Sequence, residues 1–272
     1  PLVANMPNRP QFDPLNFRSL NLISTTPPED SPNPDDIQSE FKTLRKELVS
    51  LQRVLYAQRS DSLLIVFQAL DAGGKDGTIR KVFKGVNPQG VQVASFKRPT
   101  QVEYDHDFIW RIHPHAPARG MISIFNRSHY EDVIATRVLG IIDNDVCKDR
   151  YEQINQFEHI LTQHGTTILK FYLHISKDEQ KARFQDRLDN PSKQWKFSVA
   201  DLETRKHWSL YMDAYGDALK HCHHATSPWY IIPADDKSYR NLVITRVIVQ
   251  ALRDMAPKFP EPKPGLAQIE IK

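Results

Sequence analysis

One short segment combines glycines, a lysine and carboxylates in an order that suits phosphate chemistry, Asp71-Ala-Gly-Gly-Lys-Asp-Gly-Thr78. It follows an apolar run and precedes a segment of helical pattern. Glycines let a chain turn tightly and point successive backbone N–H groups at phosphate oxygens, and the N-terminus of the next helix adds positive potential. The segment therefore predicts a phosphate-binding loop (P-loop). Its predicted phosphate-binding residues are Ala72, Gly73, Gly74, Lys75, Asp76, Gly77 and Thr78.

This loop differs from the common pattern G-x-x-x-x-G-K-[ST]. Ala69 replaces the first glycine, and Asp76 replaces the Ser or Thr that holds magnesium. Asp71 is also unusual, because a carboxylate repels bound phosphate unless a metal ion lies between them. We interpret Asp71 as a magnesium ligand or as a base toward the attacking phosphate, and Lys75 as a mobile charge that bridges phosphates. The structural alternative is a glycine-rich turn with an incidental lysine and a turn-capping aspartate.

Strand and helix patterns alternate along the chain on either side of this loop. Apolar, β-branched runs predict strands at 62–70, 90–96, 121–125, 166–174 and 229–233. Helical patterns lie at 35–59, 78–84, 102–113, 129–136, 151–164, 177–188, 200–221 and 239–255. Such alternation is typical of an α/β fold, with a parallel sheet flanked by helices. We expect an extended arm at 1–34, one domain at 35–256 with a helical lid at about 183–205, and a tail at 257–272.

The composition narrows the class of protein. Of the 272 residues, 40% are hydrophobic and 25% charged, which supports a folded core. The net charge of +3 suits an anionic ligand without requiring one. Two cysteines are too few for a disulfide framework, and no apolar run reaches the ~18 residues of a membrane span. The proline-rich start has no signal-peptide pattern. We therefore expect a cytoplasmic protein that has neither a membrane nor a nucleic acid as partner.

Three segments together resemble the polyphosphate kinase 2 family, namely Asp71-Ala-Gly-Gly-Lys-Asp-Gly-Thr-Ile-Arg-Lys81, Ser95-Phe-Lys-Arg-Pro-Thr100 and Phe125-Asn-Arg-Ser-His-Tyr-Glu-Asp-Val133. The resemblance runs from about Arg53 to Asp254. It implies a P-loop kinase fold similar to thymidylate kinase, with a helical lid on the parallel five-stranded sheet. It also implies phosphoryl transfer between inorganic polyphosphate and AMP or ADP, with ATP as a product. The third segment is closest to the subgroup that uses both AMP and ADP. Mg²⁺ is the implied cofactor, with Mn²⁺ as the alternative, and a dimer or tetramer is the implied assembly.

The resemblance also suggests roles for residues outside the loop. Arg127 is the third predicted catalytic residue, besides Asp71 and Lys75, because its charge suits the phosphoryl group in transfer. A structural salt bridge is the alternative for Arg127. The predicted metal ligands are Asp71, Asn126, Glu131 and Asp132. The predicted nucleotide-binding residues are Lys97, Arg98 and Arg127. A basic track for polyphosphate is predicted at Arg80, Lys81, Lys84, Arg183, Arg187 and Lys193, with surface ion pairs as the alternative for the lid residues.

The residues leave three functions to be compared. The first is a reversible polyphosphate-dependent nucleotide kinase, reversible because the anhydride broken resembles the anhydride formed. The second is an ATP-dependent nucleoside monophosphate kinase of the same fold. The third is a polyanion-binding protein without enzymatic activity, which the basic clusters allow. Phosphoryl transfer in both kinases depends on positioning and charge neutralisation, so the same residues suit either one. The first two functions differ in the phosphoryl donor, which is polyphosphate in the first and ATP in the second.

Overall fold

The computed structural model describes residues 12–266, 269 and 271, and the structural statements below concern these residues. The strands are β1 (Ser62–Gln68), β2 (Val91–Ser95), β3 (Ile122–Asn126), β4 (Thr166–His174) and β5 (Trp229–Pro233). The α-helices are α1 (Pro34–Gln58), α2 (Lys75–Val82), α3 (Gln101–Tyr104), α4 (Ala135–Val138), α5 (Asn144–Gln163), α6 (Lys177–Asp189), α7 (Val199–Lys206), α8 (Trp208–His221) and α9 (Lys237–Met255). The strands form one sheet in the order β2-β3-β1-β4-β5, and neighbouring strands are parallel.

The sheet carries helices on both faces because its central strand is apolar on both sides. Every residue of β1 is buried. Leu63 and Ile65 pack with α1, α2 and α9, whereas Leu64 and Val66 pack with α5 and α8 on the other face. Side chains alternate between the two faces of a strand, so a parallel strand covered on both faces needs a continuous apolar run. The predicted α/β fold with a parallel five-stranded sheet is confirmed.

The helix predicted at 102–113 is wrong, because the chain forms only the four-residue helix α3 and then a series of turns. The Asp107 carboxylate accepts hydrogen bonds from the backbone N–H groups of Ile109 and Trp110, both at 3.0 Å. An aspartate that bonds nearby backbone in this way offers the chain an alternative to helical hydrogen bonds. The turns then lead the chain back to the sheet at β3.

Two other predicted helices are divided. The helix predicted at 200–221 is interrupted at His207. Residues of α7 are all partly or fully exposed, whereas α8 packs into the core from Trp208 onward. The interruption therefore separates a surface helix from a core helix. The helix predicted at 129–136 is a 3-10 turn, His129–Asp132, followed by α4. The Ser128 hydroxyl caps this turn by accepting from the Tyr130 N–H at 3.2 Å.

The N-terminal segment packs against the edge strand β5. The Phe12 N–H donates to the Trp229 carbonyl at 3.0 Å, and the Asp235 N–H donates to the Thr25 carbonyl at 3.1 Å. The first eleven residues of the predicted arm, and 267, 268, 270 and 272 of the predicted tail, lie outside the described residues. Within the described part of the chain, no helix is both long and apolar enough to cross a bilayer.

Candidate active site at the carboxyl end of the sheet

The predicted P-loop connects β1 to α2, and its backbone forms an anion-binding turn. Gly74 has φ +102° and Ala72 has φ +60°, both in the left-handed region. A methyl group on Gly73 would lie 2.5 Å from the Ala69 Cβ, so the loop requires glycine there. Among the described residues, none accepts a hydrogen bond from the backbone N–H groups of 74–77. Unsatisfied N–H groups at the start of a helix are suited to bind an anion such as phosphate.

Helix α6 holds this loop through two of its backbone carbonyls. Gln180 Nε2 donates to the Asp71 carbonyl at 2.9 Å, and Arg183 donates through one terminal nitrogen to the Ala72 carbonyl at 3.0 Å. Arg183 is only 8% exposed, and it also bonds the Ala234 carbonyl and the Glu179 carboxylate. Two carbonyls of the loop are thus fixed by side chains. Arg183, a predicted polyphosphate ligand, lies here as a support of the loop backbone.

Lys75 lies at the centre of the site. Its Nζ donates to the Ala69 carbonyl at 2.7 Å, and the residue is 9% exposed. Burial and, to a smaller extent, the charge of Arg127 lower the pKa of Lys75 to about 8, against the opposite influence of Asp71, Glu131 and Asp76. The ammonium group is therefore poorly neutralised in the free protein. A phosphate group that binds next to it would supply the missing negative charge.

Arg127 forms an ion pair with Asp71 across the mouth of the loop. Its guanidinium lies 2.9 Å from the Asp71 carboxylate, and the side chains are 42% and 19% exposed. Burial would lower the pKa of Arg127, but the carboxylates of Glu131 and Asp71 raise it above its ordinary value. Arg127 has φ +63°, and its N–H donates to the Phe67 carbonyl at 3.1 Å. The left-handed backbone and the hydrogen bond to β1 fix the position of the Arg127 backbone, from which the side chain extends toward Asp71.

The predicted metal ligands separate into two groups. Asn126 Nδ2 donates to the Asp76 carboxylate at 2.6 Å, beside the loop. Burial raises the pKa of Glu131, and the charge of Asp71 raises it further, although Arg127 and Lys75 act in the opposite direction. Asp132 instead forms a nearly buried ion pair with Arg111 at 3.2 Å. Asn126 and Glu131 therefore lie near Asp71 and the rest of the loop, while the carboxylate of Asp132 pairs with Arg111.

This donor set fits a hard divalent cation that binds together with phosphate. In the part of the chain that the structure describes, no three His, Cys, Asp or Glu side chains form a complete metal cage. Mg²⁺ does not need one, since it is usually held by one or two carboxylates together with substrate phosphates and water. Asp71 and Glu131 repel each other in the free protein. A cation between them would relieve that repulsion.

A cavity of about 450 Å³ opens beside the loop. Its lining includes charged side chains, among them Asp71, Arg127 and Glu131. Apolar and aromatic side chains also line it, among them Pro99, Tyr104, Leu139, Ile141, Tyr211 and Tyr215. Lys97 and Arg98 are exposed and line the cavity between strand β2 and helix α3. A cavity lined by both charged and apolar side chains suits a nucleotide, which combines charged phosphates with a flat aromatic base.

The residues of the predicted polyphosphate track fall into an exposed group on α2 and a group in the lid that forms ion pairs. Arg80, Lys81 and Lys84 are exposed on α2 and just beyond it. The lid bases are engaged in ion pairs, Arg187 with Asp201 at 3.4 Å and Lys193 with Asp186 at 2.8 Å. The pair of Lys193 lies at the surface and contributes little to stability, so a polyanion can compete for this base. The pair of Arg187 is partly buried, with side chains 21% and 17% exposed.

Sequence reasoning missed several residues that shape the site. No motif marks Gln180 or Arg111. Gln180 donates to the Asp71 carbonyl, and Arg111 donates to the Lys97 carbonyl and the Asp132 carboxylate. The tyrosines of α8, Tyr211 and Tyr215, line the cavity although they read as core residues. One signal was present for Gln180, since it lies three positions before Arg183 and residues at this spacing share a helix face.

Comparisons with known proteins agree with this geometry. The model of the family Polyphosphate kinase 2 (PPK2) matches residues 32–260. The chain is 49% identical over 229 residues to an AMP/ADP-polyphosphate phosphotransferase of Meiothermus ruber, a match covering 84% of this chain and 86% of that protein. It is 45% identical over 237 residues to an ADP-polyphosphate phosphotransferase of Rhodopseudomonas palustris, covering 83% and 82%. The crystal structure of polyphosphate kinase 2 from Arthrobacter aurescens TC1 superposes with a TM-score of 0.92 at 37% identity, covering 96% and 95% of the two chains. The chain therefore belongs to the polyphosphate kinase 2 family.

Proposed function

We propose that this protein transfers phosphoryl groups reversibly between inorganic polyphosphate and AMP or ADP, forming ADP or ATP. The observation that carries the proposal is a P-loop with unpaired N–H groups and the poorly neutralised Lys75, beside a cavity lined by both charged and apolar side chains. The printed names of the relatives from Meiothermus ruber and Rhodopseudomonas palustris support AMP, ADP and polyphosphate as substrates.

In the proposed reaction, an oxygen of the nucleotide's terminal phosphate attacks the terminal phosphorus of polyphosphate. A new P–O bond forms, the anhydride bond to the next phosphate breaks, and polyphosphate leaves one unit shorter. Lys75 and the N–H groups of 74–77 hold the reacting phosphates, and Arg127 leaves Asp71 to contact the transferred group. Such positioning and charge neutralisation account for most of the catalysis in phosphoryl transfer.

We assign the metal to Asp71 and Glu131, with the Asn126 carbonyl as a further oxygen. A bound Mg²⁺ would neutralise charge on the phosphates, and Mn²⁺ is the alternative cation. Asp132 is the weakest candidate of the four predicted ligands, because Arg111 already pairs with it.

For the nucleotide, we assign the base to the apolar and aromatic side chains of the cavity and the phosphates to Lys97, Arg98 and Arg127. Polyphosphate would bind along Arg80, Lys81 and Lys84. Arg187 and Lys193 would also contact it when the lid, at about 183–205, closes. The boundaries of that lid and the assembly as a dimer or tetramer remain predictions.

The test is a change of phosphoryl donor. Long-chain polyphosphate, AMP and Mg²⁺ are incubated without ATP, and ADP and ATP are measured by chromatography; we expect both products. A parallel reaction replaces polyphosphate by ATP. Product formation from ATP but not from polyphosphate would favour a nucleoside monophosphate kinase, and binding without any transfer would favour a polyanion-binding protein.

A further inference from the structure

Two buried guanidinium groups meet at Gly74, beside the first turn of α2. Arg183 comes from α6 and Arg240 from α9, and they are 8% and 3% exposed. A methyl group on Gly74 would collide with a terminal nitrogen of Arg240 and would lie 3.4 Å from a terminal nitrogen of Arg183. The glycine therefore allows both cations to reach the backbone of the P-loop.

The hydrogen bonds of Arg240 use only one side of its guanidinium. Its Nε and one terminal nitrogen both donate to Asn241 Oδ1, at 3.2 and 3.0 Å. The other terminal nitrogen faces Gly74, and among the described residues none accepts a hydrogen bond from it. A buried guanidinium of this kind presents donors toward the start of α2 that an anion can use.

The two guanidinium groups of Arg183 and Arg240 are also incompletely neutralised by carboxylates. Glu179 pairs with Arg183 at 2.7 Å, but in the described part of the chain no carboxylate lies within ion-pair distance of Arg240. Burial, followed by the positive charge of Arg183, lowers the pKa of Arg240 to about 10, and the more distant carboxylates of Asp236 and Glu179 offset this only in part. Two like charges held together away from water are costly unless an anion binds between them or beside them.

We propose that Arg240 is a polyphosphate-binding residue, which together with the N-terminus of α2 holds a phosphate unit beyond the one that is transferred. This inference rests on the proposed function, because it assigns part of the donor to a residue outside the P-loop motif. The substrate chemistry fits, since each polyphosphate unit carries about one negative charge and oxygens that a guanidinium can bind. Arg183 shares the site but also supports the Ala72 carbonyl, so Arg240 is the better residue to test.

The experiment compares Arg240→Met with the parent protein and with Arg253→Met, a matched control on the same helix whose guanidinium pairs with Glu47 at the surface. Steady-state kinetics give KM for long-chain polyphosphate and KM for ADP separately. We expect Arg240→Met to raise KM for polyphosphate about tenfold or more, as for the loss of a charge-assisted hydrogen bond. KM for ADP should stay within about twofold, and Arg253→Met should change neither value.

A second readout separates binding from a merely structural role. Calorimetric titration of polyphosphate at several salt concentrations gives the slope of log K against log [salt], which reflects the number of ions released. Arg240→Met should lower that slope by about one. Equal rises in both KM values, or an unchanged slope, would overturn the inference. If Arg240→Met does not fold, the same measurements are made on Arg240→Gln, whose side-chain amide provides a donor for Asn241 Oδ1.

The same titration distinguishes this inference from the proposed function. If the parent protein forms no ADP or ATP from polyphosphate, the proposed function fails, and the titration still reports whether Arg240 binds the polyanion. Weaker binding by Arg240→Met than by Arg253→Met supports the inference in that case. Equal binding by the two variants contradicts it.

Discussion

Replacing Glu158 by glutamine should destabilise this protein strongly, because it removes the counter-charge of a buried lysine. Lys170 lies within β4, and its Nζ is 2.6 Å from Glu158 Oε2, with side chains 0% and 1% exposed. The Nζ also donates to the Cys222 carbonyl at 2.6 Å. Tyr130 Oη donates to Glu158 Oε1 at 2.7 Å. Since Tyr130 belongs to the turn that carries Glu131, this network also supports the candidate active site.

The magnitude follows from the acidity of Glu158. Burial alone would raise its pKa, but the charge of Lys170 and the contact with His129 lower it from 4.5 to about 2. A tenfold change in an acid dissociation constant corresponds to about 1.4 kcal/mol, so this lowering corresponds to roughly 3 kcal/mol of stability. Breaking a buried ion pair by removing one partner costs about 3–5 kcal/mol. We therefore expect Glu158→Gln to lower the free energy of unfolding by about 3–5 kcal/mol.

The assay is urea unfolding followed by tryptophan fluorescence. Trp229 is a suitable reporter, because its ring centroid lies 5.2 Å from Lys170 Nζ and it is 1% exposed. The control is Asp145→Asn, which removes the surface pair with Lys148, whose side chains are 91% and 69% exposed. That pair should contribute less than about 1 kcal/mol. A double-mutant cycle with Lys170→Met should show that the two substitutions together cost less than the sum of their separate costs.

The pH dependence gives an independent check. The pKa of Glu158 is lower in the folded protein than in the unfolded chain, so its contribution is fully present above about pH 4.5. It is lost as the pH falls from 4.5 through about 2. Glu158→Gln should therefore lack this part of the acid-induced loss of stability. A cost of Glu158→Gln no larger than that of Asp145→Asn would refute the reasoning.

Three further predictions concern the active site. Asp71→Asn should reduce kcat at least a hundredfold with the fold intact by circular dichroism; near-normal turnover would remove Asp71 from the mechanism. Polyphosphate affinity should fall as the pH rises through about 8, because Lys75, whose pKa burial lowers, then loses its proton. Lys75→Arg should abolish that fall, since arginine stays charged, and an identical profile would exclude Lys75 as its origin. Asn126→Asp should change the preference between Mg²⁺ and Mn²⁺ more than KM for polyphosphate; an unaltered metal dependence would count against Asn126 lying near the metal.

The sequence predicted the strands more reliably than the helices between them. The strand predicted at 166–174 agrees with β4, and the one at 229–233 agrees with β5. Buried parallel strands are continuous apolar runs, which local composition reveals directly. The segment 102–113 failed because the Asp107 side chain bonds the following backbone, and helical periodicity does not register such a competing turn.

The amino-acid sequence by itself determined the P-loop and the position of Lys75, because glycines, a lysine and an adjoining strand lie within one short segment. It also determined the parallel sheet, through the alternation of strand and helix patterns and the continuous apolar run of β1. Only the tertiary structure decided which charges meet there. Arg127 and Asp71 are 56 residues apart, and Arg240 reaches Gly74 from the last helix. Contacts between distant segments depend on how the helices pack on the sheet, and no local pattern of residues encodes that packing.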